Sequence, residues 1–279
     1  MSGIIFYRTA KLKEIEKFYL NKLNFRLWLD QGKCKIFQNG NQLLGLCKSD
    51  ESDTDGIITT FFDEKKKVDR MYKKLKSIAS CEPRENENFK IYQFFAKDPE
   101  GRTLEFQYFN NFLKPYKNGK EILTQRRSYR KFKNKKVNRE ILNKIFNDSR
   151  FSPTSMNSQS YYYIVIKNRE IQKELSLLRG KSSSPINNSP IAVAICVDKN
   201  KTKRVKQDGD IAAYHFMLSA FNYGLGTCWI ADMNRKSVKK LINIPQKDYV
   251  ATVTPLGYPV EYKNIPERRN IDEFVKYIE

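Results

Sequence analysis

Four short segments of the 279-residue chain carry groups that could bind or transform a small molecule. Arg126-Arg127-Ser128-Tyr129-Arg130 places three guanidiniums and a serine hydroxyl within five residues. Guanidinium forks match phosphate oxygens, so the run reads as an anion clamp, or else as the solvated basic face of a helix end. Phe151-Ser152-Pro153-Thr154-Ser155-Met156-Asn157-Ser158-Gln159 is a polar loop between a helical pattern and an apolar strand. Its amides both donate and accept, which suits the mixed edge of a planar heterocycle, and the same residues would also serve as a turn and cap. Gly224-Leu225-Gly226-Thr227-Cys228-Trp229 has two glycines that let backbone N–H groups approach a ligand. It follows a helix and lacks a third glycine, so it is not the dinucleotide fingerprint. Gly257-Tyr258-Pro259 precedes Pro266-Glu267-Arg268-Arg269, whose arginines taken alone are a surface pair.

The elements that must position these segments alternate between helix and strand over residues 121–279, an α+β layered domain. A helix over 139–148 presents Ile141, Leu142, Ile145 and Phe146 on one face. Apolar strands follow at 161–166 and 191–197, and the second is a continuous run that reads as central in a sheet. A long helix over 208–223 stops at Gly224, a C′ glycine. A strand over 227–231, a helix around 237–242 and a strand over 249–256 that closes at Gly257 complete the pattern. The first 113 residues read as two copies of one unit, each a strand, a helix and further strands, β-α-β-β(-β). Copy one has strands at 4–9, 25–29, 33–38 and 42–47, with Asn39-Gly40 as a turn. Copy two has strands at 57–62, 92–97 and 103–109, with Asp98-Pro99-Glu100-Gly101 as a turn. A basic, polar join containing Pro115 and Gly119 links the halves, giving domains at 1–113 and 121–279 with a linker at 114–120.

Composition narrows the chemistry. A single histidine, His215, excludes a His-rich metal centre within one chain, and no nucleophile elbow accompanies it. It sits in a helical pattern beside Phe216 and Met217 and is expected to pack. Five cysteines are scattered without C-x-x-C spacing, so neither a disulfide framework nor a zinc knuckle is expected, and a reducing cytoplasm is the default. No apolar run approaches the ~18 residues of a membrane span, and no signal-peptide pattern opens the chain. The net charge of +21 is uneven: residues 1–113 hold 20 Lys+Arg against 16 Asp+Glu, and residues 114–279 hold 32 against 15. That excess attracts phosphates and nucleotides. No nucleic-acid-binding motif accompanies it, so a nucleic-acid partner is not expected.

The first half resembles the glyoxalase/bleomycin-resistance family, the vicinal-oxygen-chelate fold. The resemblance lies in Phe18-Tyr19-Leu20-Asn21-Lys22-Leu23-Asn24-Phe25 and in Phe95-Ala96-Lys97-Asp98-Pro99-Glu100-Gly101-Arg102-Thr103-Leu104-Glu105-Phe106. Enzymes of that family hold a divalent metal with His, Gln or Glu. Here Ile4 stands at the first-strand ligand position, residues 57–59 offer none, and only Glu105 fits. One carboxylate cannot build a transition-metal site, so a module without metal is expected, for binding a small molecule or for packing. The second half resembles the FMN-dependent nitroreductase family: "RRS.R.F" at 126–132, "APS..N.QPW" and its strand at 152–166, "GLG.cW" at 224–229 and "G(Y/H)P...R" at 257–269. Ser160-Tyr161 replaces that family's Pro-Trp pair, and the domain is shorter than most members.

The resemblance implies FMN as cofactor, with NADH or NADPH as co-substrate, and a homodimer with sites built across its interface. Arg126, Ser128 and Arg130 would hold the phosphate and ribityl chain with Arg127 near them, and Arg268 and Arg269 would meet the phosphate. Pro153, Thr154, Ser155 and Asn157 would reach the flavin of the neighbouring subunit, and Gln159 its ring edge. Leu225, Gly226 and Thr227 would line the isoalloxazine, with a backbone N–H near N5. No protein acid or base is needed, because the cofactor carries a hydride from NAD(P)H to a nitroaromatic, quinone or similar small acceptor. The alternative is a non-catalytic binding or sensor protein on the same scaffold.

Overall fold

The computed structural model describes residues 3–111, 116–261 and 263–278, in two units, Met1–Tyr116 and Lys117–Glu279. The expected domain limit at residue 113 and Pro115 of the join lie outside the described residues.

The first unit repeats one motif. β1 (Ile5–Thr9), α1 (Leu12–Lys17), β2 (Arg26–Asp30), β3 (Cys34–Asn39) and β4 (Gln42–Lys48) form a sheet in the order β1-β4-β3-β2. β5 (Ile57–Phe62), α2 (Lys65–Leu75), β6 (Arg84–Asn86), β7 (Ile91–Lys97) and β8 (Thr103–Phe109) repeat it as β5-β8-β7-β6. In each copy the first strand pairs in parallel with the last, and the other pairs are antiparallel. Alternate residues of the strands pack with the helices in one shared core, including Ile15, Tyr19, Phe37, Leu44, Val68, Phe94 and Phe106. β6 has three polar residues and no apolar alternation, which is why the second copy reads one strand short in sequence. The Asp98–Gly101 turn is locked by a buried network: Arg102 pairs with Asp98 at 3.0 Å and Glu100 at 2.6 Å. Burial alone would raise the Glu100 pKa, but hydrogen bonds from Ser52, Thr9, Arg102 and the Lys11 N–H outweigh it and hold it at about 2.

Cys34 and Cys47 face each other across the β3–β4 hairpin and form a disulfide with Cα atoms 4.0 Å apart, correcting the expectation of none. Short cysteine motifs do not reveal this pair, because the turn after Asn39 brings residues 13 positions apart into direct register. Cys81, Cys196 and Cys228 are free. Cys47→Ser is expected to lower the unfolding free energy of the oxidised chain by about 3 kcal/mol, the chain-entropy value for a ring of this size. Guanidinium denaturation with and without dithiothreitol checks it. The reductant is expected to shift the wild-type midpoint and to leave the variant's unchanged.

The second unit is built on a fully antiparallel sheet, β11-β12-β10-β9, of β9 (Tyr161–Ile166), β10 (Ile191–Val197), β11 (Gly226–Thr227) and β12 (Tyr249–Gly257). β10 is buried throughout and central, as its apolar run predicts. Its larger residues, Ile191, Val193 and Ile195, face one core with α4 (Arg139–Ser149) and α6 (Val205–Asn222). Ala192, Ala194 and Cys196 face the other, with α5 (Arg169–Leu177) and α7 (Lys236–Leu241). A further helix, α3 (Gly119–Gln125), opens the unit behind an Asn118–Glu121 capping box. Among the described residues, no helix is long and apolar enough to cross a membrane.

The strand expected over 227–231 is cut to Gly226–Thr227. Beyond it, side chains replace the backbone ladder. Thr254 Oγ1 accepts from the Cys228 N–H at 3.2 Å and donates to its carbonyl at 3.0 Å, and Thr252 does the same for Ile230 at 3.2 and 2.9 Å.

Candidate functional site

The arginine run leaves α3 at Arg126, whose ψ of 132° ends the helix, and continues extended. The Tyr129 N–H donates to the Thr227 carbonyl at 2.8 Å, and the Lys133 N–H donates to that of Tyr258 at 2.8 Å. Bridges from Ser128 to Thr227 and from Phe132 to Pro259 hold the strip in place. Extended backbone sends successive side chains to opposite sides. Arg127 and Tyr129 are therefore buried, while Arg126 and Ser128 are half-buried and Arg130 is exposed. Tyr129 packs so close to Gly226 that a Cβ there would lie 2.8 Å from the tyrosine Cβ.

Inside the strip, Arg127 ties the segments together. Its Nη1 donates to the carbonyls of Thr124 at 2.8 Å and Arg126 at 2.7 Å, and its Nε donates to that of Asn264 at 3.4 Å. Its Nη2 is buried with no hydrogen-bond partner among the described residues. Burial lowers the Arg127 pKa, and the guanidiniums of Arg268 and Arg126 lower it further. Lys263 Nζ donates to the Ser128 carbonyl at 2.9 Å. Burial raises the Cys228 thiol pKa, and Arg130, the Ser128 hydroxyl, Lys263 and Arg126 partly offset it. Five cations from the arginine run and the 263–268 segment thus converge beside the glycine bend. Among the described residues none of the five forms an ion pair with a carboxylate. A crowded cation cluster with an orphaned buried N–H is matched chemically by a multiply charged anion with forked oxygens.

Arg269 stands over the Phe274 ring at 5.5 Å, away from the cluster's contacts. Leu225 is packed in the core with α4 and α6, and the Thr227 carbonyl is occupied by Tyr129, which leaves Gly226 at the bend with its backbone against the strip. His215 is half-buried on α6.

The 153–159 loop shares no hydrogen bond with the cluster among the described residues. It hangs from the first turn of α6. Asp208 Oδ1 accepts the Ser155 N–H at 2.9 Å, and Oδ2 accepts the hydroxyls of Ser160 at 3.1 Å and Ser158 at 3.5 Å. Thr154 Oγ1 accepts the Gln159 N–H at 3.0 Å. Met156, Asn157 and Gln159 all have positive φ, and Met156 is 98% exposed. Asp208 and Lys263 were not legible as functional residues. Asp208 is one of two aspartates, with Asp210, that enter an apolar helix pattern after a lysine-rich stretch, and Lys263 is one lysine among many.

The second unit is thus an α+β domain, an antiparallel sheet between helices, with a cation cluster at its glycine bend that meets no carboxylate among the described residues. Residues 123–191 and 187–258 match the model of the Nitroreductase family. A solved FMN-dependent nitroreductase from Clostridium difficile R20291 is 30% identical, covers 57% of this chain and 98% of its own, and superposes with a TM-score of 0.53. A protein of Methanothermobacter thermautotrophicus provisionally named NADH dehydrogenase/NAD(P)H nitroreductase is 28% identical over 148 residues, 50% of this chain and 77% of that one. The FMN reductase [NAD(P)H] of Bacillus subtilis strain 168 is 24% identical over 162 residues, 50% of this chain and 65% of that one. Through its second unit, the chain belongs to the nitroreductase family.

Proposed function

We propose that the second unit holds FMN in the cation cluster and acts, as a homodimer, in passing electrons from NAD(P)H to a small acceptor such as a nitroaromatic or a quinone. The carrying observation is the orphaned buried Nη2 of Arg127 inside a cluster of guanidiniums that pair with no carboxylate among the described residues. A flavin phosphate is an anion of the matching charge and fork geometry. Relatives named FMN-dependent nitroreductase and FMN reductase support the same reading.

In this reading Arg126, Arg130, Lys263 and Arg268 neutralise the phosphate, and the Ser128 hydroxyl reaches the ribityl side. Arg127 offers its free Nη2 and clamps the Asn264 segment, which keeps Arg268 near. Gly226 lets the backbone approach the ring, over a bend whose Leu225 and Thr227 are fixed by packing. Pro153, Thr154, Ser155, Asn157 and Gln159 come from the second copy, consistent with a loop that makes no hydrogen bond to its own chain's cluster. Exposed Phe151 beside that loop and exposed Met156 within it suit burial against a partner. When bound, FMN supplies the two-electron chemistry that links the nicotinamide to the acceptor. The chain contributes charge, orientation and shelter from water.

The first unit is read as a vicinal-oxygen-chelate-like module without metal, supported by its two β-α-β-β-β copies of identical strand order. Glu105 there accepts a hydrogen bond from Thr59 at 2.7 Å, a role that needs no metal. The compartment proposed is the cytoplasm, whose reductants would hold Cys34 and Cys47 as thiols.

The absorption spectrum tests the main reading. Purified protein is expected to be yellow, to bleach with NADH or NADPH in the absence of air, and to recover its colour when a nitroaromatic or quinone is added. A colourless preparation that takes up no FMN would overturn it. A bound flavin that neither nicotinamide bleaches would leave a binding or sensor protein.

A further inference from the structure

We propose that Asp208 is a positioning residue for the flavin site: its buried carboxylate holds the 154–160 loop in the one conformation that presents Asn157 and Gln159. The inference rests on the FMN reading above and extends it to a residue outside the cation cluster.

Asp208 is 2% exposed, yet it forms no ion pair among the described residues. Both oxygens are spent on the loop, one on the Ser155 N–H and the other on the Ser160 and Ser158 hydroxyls. A buried carboxylate is costly unless its lone pairs are filled, so the contact is specific in both directions. The loop needs such a hold. Met156, Asn157 and Gln159 lie in the left-handed region at φ of 54°, 51° and 44°, which asparagine tolerates but methionine and glutamine rarely adopt without surroundings that fix it. Two anchors do so, Asp208 from below and Thr154 Oγ1 across the loop. Asp208 is itself fixed by its neighbour. A Cβ at Gly209 would lie 2.9 Å from Val197 Cγ2 and 3.1 Å from the Tyr249 ring, so the glycine lets the first turn of α6 press against β10 and β12.

The carboxylate touches no residue of the cation cluster, so it acts through loop order and leaves phosphate charge unchanged. Pre-ordering removes an entropy cost that a ligand would otherwise meet on binding. The weakening on its loss should therefore fall equally on FMN and on riboflavin, which lacks the phosphate.

The test uses the full chain stripped of flavin, comparing wild type, Asp208→Asn and the milder Ser160→Ala. FMN and riboflavin are titrated by fluorescence quenching, amide hydrogen exchange is followed over 153–160, and melting is followed by circular dichroism. Asp208→Asn is expected to weaken both flavins by the same factor, about tenfold, and to speed exchange at Ser155 and Gln159 by at least about tenfold. Ser160→Ala is expected to weaken both by about threefold, and it decides the matter if Asp208→Asn does not fold. A variant that only loosened the helix would melt earlier while its folded form kept wild-type affinity and loop exchange, and that result overturns the proposal. Loss confined to FMN, with riboflavin unaffected, also overturns it. Wild-type protein that binds neither flavin would overturn the FMN reading and this inference together. Wild-type protein that binds FMN while both variants match it overturns this inference alone.

Discussion

Arg268→Ala is expected to weaken FMN binding by about a hundredfold while making the flavin-free protein slightly more stable. The two effects have opposite sign for one reason. Burial, and then the guanidiniums of Arg268 and Arg126, lower the pKa of Arg127, so the cluster repels itself when no anion is present. With a phosphate in place, each guanidinium contributes charge-assisted hydrogen bonds worth about 1.5–3 kcal/mol, or roughly ten- to a hundredfold in affinity. Riboflavin should bind the variant as it binds wild type. Flavin titration together with thermal melts of the flavin-free protein checks all three points. FMN affinity equal to wild type would show that the phosphate lies elsewhere.

Gly226→Ala is the second large effect expected. The new methyl would meet Tyr129 Cβ at 2.8 Å and its Cγ and Cδ2 at 2.9 Å. Rotating the tyrosine cannot relieve the first contact, because Cβ sits on backbone that is itself tied to the Thr227 carbonyl at 2.8 Å. The strip carrying Ser128 must therefore move off the bend. Overpacking of this kind costs about 1–3 kcal/mol, and the displaced Ser128 and Arg130 should weaken FMN by a further tenfold or so. Urea denaturation and flavin titration read the two losses separately. Gly119→Ala is the control: a Cβ there meets nothing within 4 Å at the start of α3, so wild-type affinity and stability equal to or up to about 1 kcal/mol above wild type are expected.

Sequence reasoning reached as far as local pattern does. The all-apolar run of β10 announced a central strand, and Gly224, at φ 74°, closes α6 where the pattern ended. The duplicated strand order of the first unit followed from repeated spacing. What stayed hidden depends on partners distant in the chain. The division of labour between Arg126 and its neighbour Arg127 is set by an extended strip whose pairing partners lie about a hundred residues on, near 227 and 258. The Cys34–Cys47 bond needed the hairpin register, and the role of Asp208 needed the loop 50 residues before it to be seen folded against α6. The truncated strand at 227 failed for a related reason: threonine side chains on β12 took over pairing that sequence assigns to backbone.

The hold of Arg127 on Asn264 spans 137 positions of chain. Ribosomes add ~5–20 residues per second, so roughly seven to thirty seconds pass between the emergence of the arginine run and the arrival of the segment that bears Lys263 and Arg268. Throughout that interval the nascent polypeptide carries only part of its anion cradle. Anion capture in the cluster therefore has to follow translation of the segment that bears Lys263 and Arg268.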